Sequence, residues 1–389
     1  MIRHIFGDRI FNEETGGFSA GDIYIEGERF TAPPGGNSRE SGETLDYRGC
    51  FILPGFIDIH THGGFGRAFF ECSPEETGRT ARYFAAAGVS AFCPATVSGD
   101  EEACRRGMET LARSPAFGGA PQDGGSSPGG PASPTARIAG VYQEGPFLSP
   151  KKPGVADLAS FRKPDTAYFA GLQRHGESLG LAIPFVTVAP ELEGALDFIG
   201  EFSSRAVCAL AHSTADYETA ARAFAAGASQ LTHLFNAMPP LLHREPGLIG
   251  AALDSPGVMA ELIADGEHVH PSAVRAAFRM FGDDRIILIS DSLFSGLPDG
   301  DYAAGGLSVT IKGGVAKNSA GALAGSSKTL GHCVLNAVKH IGIPLYSAAK
   351  CASVNPAKQA GIFHERGSIT AGKYADLVIL DGDYNLKEV

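Results

Sequence analysis

Four histidines and two carboxylates of this 389-residue chain fall where short apolar runs end, the place where a strand hands a side chain to a loop. His233 interrupts the run Ser229 to Leu234 and is followed at once by Asn-Ala-Met and Pro239-Pro240. His212 ends the run that begins at Ala206, 21 residues earlier, and the helical stretch Asp216 to Ala226 lies between the two. One strand-helix-strand unit thus sets two imidazoles on adjacent strand ends. His60 and His62 close another run at i and i+2, so both lie on one side of extended chain and reach one centre. Glu144 stands in Gln143-Glu-Gly-Pro-Phe-Leu148, and Asp291 ends Ile287-Leu-Ile-Ser-Asp291. Singly, each has an ordinary explanation: a hydrogen-bonded core histidine, a solvated strand-end carboxylate, a cap for the following turn. Together they form a His/carboxylate donor set without cysteine, suited to Zn²⁺ or another borderline divalent metal. Such an ion would lower the pKa of a bound water towards 7 and polarise a carbonyl. A nearby Asp could then take the water's proton and return it to a leaving amine, which is amide hydrolysis.

The six residues converge only if the strands that carry them do. From Phe51 onward, short apolar runs alternate with Ala-rich helical stretches, and eight such runs stand out. They are Phe56–His60, Ser90–Thr96, Ile138–Glu144, Phe185–Pro190, Val207–His212, Gln230–Leu234, Met259–Asp265 and Ile286–Asp291. Eight strand-then-helix units predict a (β/α)8 TIM-type barrel, whose strand ends share one face; a doubly wound sheet has the same alternation. The six candidates end the first, third, fifth, sixth and eighth runs, and only closure brings those ends together.

Residues 1–49 show short alternating runs such as Asp22-Ile-Tyr-Ile-Glu26, and the tail from Gly367 to Asp381 reverts to the same pattern. The expected organisation is a small β-sandwich domain built from 1–49 and 366–389, with the barrel at 50–365. Leu307 to Ala316 predicts a hairpin with a Gly-Gly turn, followed by helices over Lys328–His340 and Ser347–Ser353. The Gly/Pro/Ser-dense stretch 114–134 predicts a solvated, mobile connection that carries no chemistry.

A net charge of −11, without a block of Lys or Arg, argues against a nucleic-acid or anionic-membrane partner and for a small molecule. Seven scattered cysteines without Cys-x-x-Cys suggest neither a disulfide framework nor a cysteine zinc site. No apolar run approaches the roughly 20 residues of a membrane span, and charge breaks the first residues too early for a signal sequence. A cytoplasmic location is expected.

The motifs carry a resemblance. Pro54-Gly-Phe-Ile-Asp-Ile-His-Thr-His-Gly-Gly64, Glu144-Gly-Pro-Phe, Ala211-His-Ser213, Thr232-His-Leu-Phe-Asn-Ala-Met238, Arg244-Glu-Pro-Gly-Leu248, Ala264-Asp-Gly-Glu-His268 and Ser290-Asp291 occur in this order between about Gly55 and Ala375. They resemble the N-acetylglucosamine-6-phosphate deacetylase family of the amidohydrolase superfamily. The resemblance implies hydrolysis of the N-acetyl amide of an amino-sugar 6-phosphate by a homodimer using one or two divalent ions per subunit, zinc foremost. It makes Glu144, His212 and His233 the main metal ligands, His60 and His62 ligands of a second ion, and Asp291 the catalytic acid/base. Asn236 and Ala237 would meet the substrate, and Arg244 and His268 its phosphate, with His268 reaching across the dimer. Arg244 offers a rigid donor fork suited to a phosphate dianion, although Arg followed by Glu is also a common surface pair.

Two positions depart from the family pattern. Ala156 stands where a histidine contacts the sugar, and Gln143 where histidine usually precedes the Glu-Gly-Pro motif. Recognition of a differently configured or differently substituted N-acetylated sugar phosphate is the expectation, with Asp157 a candidate replacement contact. Two other readings compete. A cyclic-amide hydrolase of the dihydropyrimidinase kind usually carries a carboxylated lysine on the fourth strand, and Phe185–Pro190 contains no lysine. A non-catalytic sugar-phosphate sensor sits poorly with the presence of Asp291 and all five candidate ligands.

Overall fold

Parallel strands covered on both faces need apolar residues throughout, and the runs that meet this condition form the strands of the computed structural model. It describes residues 2–34, 43–96, 100–118, 134–304 and 307–389. The barrel strands are Phe56–Thr61, Val89–Pro94, a third in two pieces (Arg137–Ile138 and Tyr142–Phe147), Phe185–Val188, Val207–Leu210, Gln230–Leu231, Met259–Ile263 and Ile286–Ile289. Each expected run overlaps one of them. Strands three to eight form a continuous parallel sheet, and strands one, two and the first piece of three form another. Parallel bridging of Ala95 with Tyr142 joins the two. On the other side the backbone N–H of Asp291 donates to the His60 carbonyl at 3.0 Å, joining strand eight to strand one. The ring is therefore closed, and the open-sheet alternative falls.

Closure also explains one apolar cluster. Ile57, Cys93, Tyr142, Phe185, Ile263 and Ile289 come from six different strands and are all fully buried in mutual contact, which only a barrel interior allows. A larger cluster packs the outer strand faces against the helices. Those helices start where polar side chains take up free N–H groups: Ser73 in a capping box with Glu76, and Asp100, Asp165 and Asp216 as N-caps.

The terminal segments share one sheet. Its strand order runs Leu386–Glu388, Leu377–Leu380, Phe51–Pro54, Ile2–Asn12, Gly17–Glu26 and Arg29–Thr31, with Thr44–Asp46 also paired to Ile2–Asn12. It closes over Ile5, Ile23, Ile25, Phe30, Ile52 and Ile379. Sheet membership thus runs through Pro54, four residues past the expected start of the barrel at 50, because Phe51–Pro54 is hydrogen-bonded to the tail strand. The hairpin past strand eight is Leu307–Lys312 and Val315–Asn318, with Gly313-Gly314 in the turn. The expected helix over Lys328–His340 appears as Leu330–Asn336 continued by a π-helical turn, Ala337–Ile341, and Leu345–Ala352 follows. Residues 119–133 of the expected Gly/Pro/Ser connection lie outside the described residues.

Candidate metal centre

Glu144 is the hub. Its Oε1 lies 3.3 Å from His212 Nε2 and 3.2 Å from His233 Nε2. Its Oε2 lies 3.1 Å from His62 Nε2 and 3.5 Å from His60 Nε2. Asp291 Oδ1 completes the group, 3.2 Å from His62 Nε2 and 3.9 Å from His60 Nε2. All six candidates named from strand ends therefore meet at one face of the barrel. Their backbones are unusual there: His212, His233, Ala237 and Asp291 hold φ of 44°, 31°, 50° and 50° without being glycine. Such left-handed residues cost free energy and cluster where a side chain must be aimed.

The donor set fits a divalent cation on observations that need no bound ion. Glu144, His212 and His233 can converge on one point, and so can His60, His62 and Glu144. His60 Nε2 is buried with no hydrogen-bond partner among the described residues. Asp58, Glu144, Glu261 and Asp291 bring four carboxyl groups together, yet no Lys or Arg pairs with any of them among the described residues. Burial opposes ionisation, but the surrounding imidazoles outweigh it and hold Glu144 well below the usual carboxylate range, and Asp291 below it as well. At Asp58 burial wins and pushes it up to about 7, despite two hydrogen bonds from Ser290 and the nearness of His60.

Supports beneath the cluster went unnoticed in the sequence. Glu261, in the seventh strand, takes His60 Nδ1 at 2.9 Å. Glu191, just past the fourth, accepts from Ser213 Oγ and Thr214 N at 2.6 and 2.7 Å and so braces the loop after His212. The Lys152 carbonyl accepts from His212 Nδ1 at 2.8 Å. For Glu261 a signal existed: a lone charge inside Met259-Ala-Glu-Leu-Ile263, a strand otherwise apolar.

The chain segment after the third strand lies against the cluster. A Cβ on Gly154 would stand 2.9 Å from His212 Cε1, and the φ of +60° also favours glycine. Val155 packs on the cluster of Leu293 and Phe294 beyond strand eight. Ala156 follows in this segment. Asp157 is engaged otherwise than expected, since its carboxylate accepts the Ala159 N–H and caps the turn Leu158–Ser160. Gln143 also differs from expectation. Neighbouring strand residues face opposite sides, so with Glu144 turned inward Gln143 is turned outward, where its amide donates to the Gly145 carbonyl at 2.9 Å. There it braces the backbone.

Asn236 folds back onto the carbonyls of His233 and Leu234, both at 3.3 Å, and the Ala237 carbonyl takes the Ser213 N–H. Arg244 is exposed and meets His243 Nε2 at 2.9 Å. It does not pair with Glu245 or any other carboxylate among the described residues, and it lines a cavity of about 420 Å³ with Asp216, Tyr217, Pro239 and Leu242. His268 is turned inward: its side chain is 7% exposed and Nδ1 lies 2.7 Å from Asp265 Oδ2. Burial works against its proton, but the Asp265 carboxylate prevails and raises its pKa.

The amidohydrolase family model matches residues 132–389. The N-acetylglucosamine-6-phosphate deacetylase of Vibrio furnissii is 36% identical over 339 residues, 87% of this chain and 80% of that protein. The N-acetylgalactosamine-6-phosphate deacetylase of Escherichia coli O157:H7 is 33% identical over 340 residues, 87% of this chain and 85% of that one. Among solved structures, a variant of the Mycobacterium smegmatis N-acetyl-D-glucosamine-6-phosphate deacetylase in complex with N-acetyl-D-glucosamine-6-phosphate superposes with a TM-score of 0.85 at 31% identity, covering 99% of this chain and 96% of that one. With a closed barrel and this ligand cluster already in place, these likenesses settle the kinship: the chain belongs to the amidohydrolase family, among the N-acetylglucosamine-6-phosphate deacetylases.

Proposed function

We propose that this chain hydrolyses the N-acetyl amide of an amino-sugar 6-phosphate, releasing acetate and the free amine, with divalent metal held by Glu144, His212 and His233 and by His60, His62 and Glu144. The observation that carries the reading is the division of Glu144, one carboxylate oxygen facing each pair of imidazoles. Zinc suits nitrogen and carboxylate donors in this number. When bound, such an ion lowers the pKa of a coordinated water and polarises the amide carbonyl.

The chain's own groups do the rest. Asp291, held ionised by its imidazole neighbours, accepts a proton from the attacking water and delivers it to the amine nitrogen as the C–N bond breaks. Arg244, which pairs with no carboxylate among the described residues, binds the phosphate, and His268, whose pKa Asp265 raises, assists it. Asn236 and Ala237 hold the sugar from the loop after the sixth strand. The segment with Ala156 sets sugar configuration. A homodimer acting in the cytoplasm completes the proposal.

Metal analysis combined with acetate release from a panel of N-acetyl sugar phosphates tests it. Bound metal and release from a 6-phosphate, but not from a cyclic amide, are expected. Turnover of cyclic amides, or ligand binding without turnover, would favour the competing readings.

A further inference from the structure

Glu261 is a carboxylate in the middle of a barrel strand, 0% exposed and with no Lys or Arg partner among the described residues. Its Oε2 takes His60 Nδ1 at 2.9 Å and, more loosely, the His233 backbone N–H at 3.3 Å. Its Oε1 takes the side-chain amide of Gln230. A carboxylate oxygen at hydrogen-bond distance accepts, so Nδ1 of His60 carries the hydrogen and Nε2 is the ring nitrogen turned to the metal subsite. The Tyr142 ring lies against His60 with centroids 4.3 Å apart, and the Tyr142 hydroxyl is fixed at 2.9 Å from Thr232 Oγ1. Glu261 thus fixes the tautomer, Tyr142 fixes the ring plane, and Nε2 faces Glu144 and Asp291.

The four imidazoles are not equivalent in this respect. His212 Nδ1 meets only a peptide carbonyl, and the Nδ1 atoms of His62 and His233 have no partner among the described residues. Among the described residues, His60 alone of the four has a carboxylate at Nδ1, the kind of partner that raises the basicity of a metal-binding imidazole. We infer that Glu261 is the positioning residue of the His60/His62/Glu144 subsite: it decides whether a second ion is held, while it touches the Glu144/His212/His233 subsite only through the looser contact at the His233 backbone N–H. The inference rests on the metal reading given above.

Zn²⁺ binding by competition with a chromophoric chelator, together with the absorption spectrum of the Co²⁺-substituted protein, tests it. Wild type is expected to hold two ions per subunit. Glu261→Gln should hold one with little changed affinity and the other about 10- to 100-fold more weakly, the usual effect of losing such a support, with one Co²⁺ spectrum altered more than the other. Glu261→Asp, which keeps the charge but withdraws it from Nδ1, should weaken the same ion by less and covers the case in which the glutamine variant does not fold. In a His60→Ala background, adding Glu261→Gln should weaken binding no further, because the support has nothing left to orient. Two ions at wild-type affinity in Glu261→Gln, equal weakening of both, or full additivity with His60→Ala would each overturn the inference. So would a wild type that holds a single ion. A wild type that binds no ion would overturn the metal reading itself, which is a different failure.

Discussion

The Nε2 atoms of His212 and His233 lie 3.1 Å apart, and both face the same oxygen of Glu144. One proton between two imidazoles satisfies one contact and leaves the other nitrogen competing for the carboxylate. A cation satisfies all three donors at once, which is why this triangle reads as a binding site and not as a hydrogen-bond network.

His212→Ala and His233→Ala are each expected to lose the ion of this subsite and essentially all hydrolysis, because a site missing one core ligand loses both affinity and geometry. Elemental analysis of the purified variants checks it. Full metal content at full rate in either would remove that residue from the ligand set.

Asp291→Asn should behave differently. Much of the metal and substrate affinity stays while kcat falls by roughly 10² or more, the scale for a lost general acid/base. Steady-state kinetics on metal-loaded protein reads this directly, and a near-normal kcat takes Asp291 out of the proton transfers.

Much of this was legible before any coordinates. Strand ends announced themselves because a buried parallel strand tolerates polar residues only where it opens into a loop, so His60, His212, His233 and Asp291 could be placed from their positions alone. The inward or outward facing of Gln143 was harder, because it depends on the phase of a two-residue alternation that a one-residue error in register reverses. Glu261 was missed because its partners lie on the first and sixth strands, far away in sequence. The strand Phe51–Pro54 reads as barrel by composition, and its pairing with a segment more than 300 residues later is what assigns it to the terminal sheet. The pairing of His268 with Asp265, three residues before it, was not read from the sequence, because it depends on how the turn between them folds.

Arg244→Ala should weaken binding of phosphorylated substrates by about 1.5–3 kcal/mol, the size of a lost charge-assisted contact, and leave unphosphorylated analogues little changed. Comparison of KM across the two substrate classes decides it. Equal losses on both would show that Arg244 does not read phosphate.

Asp265 is held at about 2 and His268 is raised above the ordinary histidine value, each chiefly through the other once the opposing effect of burial is overcome. The raised His268 contributes stability below the unfolded pKa of about 6.5 and loses it as pH rises through its folded value; the depressed Asp265 contributes above about 3.9 and loses it as pH falls towards about 2. The pair is therefore most stabilising between roughly pH 4 and 6.5. Asp265→Asn should flatten this part of the Tm-against-pH curve and, by releasing His268 from its charge partner, shift the alkaline rise in KM for phosphorylated substrate to lower pH. An unchanged KM profile would separate His268 from phosphate binding.

Ala156→His should raise kcat/KM for the gluco 6-phosphate relative to the galacto compound, because it restores a donor beside the segment that covers His212. A missing sugar hydrogen bond is worth about 0.5–1.5 kcal/mol, so a several-fold change is expected. A wild type already strongly selective for the gluco substrate, and unimproved by histidine, would assign configuration to other residues.

The central claim is metal-dependent cleavage of the N-acetyl amide, and acetate release from N-acetylglucosamine-6-phosphate and N-acetylgalactosamine-6-phosphate measures it most directly, using protein as purified, after chelation, and after return of Zn²⁺. Release matching amine formation one for one on at least one of the two sugars, abolished by the chelator and restored by the ion, is the predicted result. Undiminished release from protein verified to be free of metal, or no release from either sugar by fully loaded protein, would contradict it.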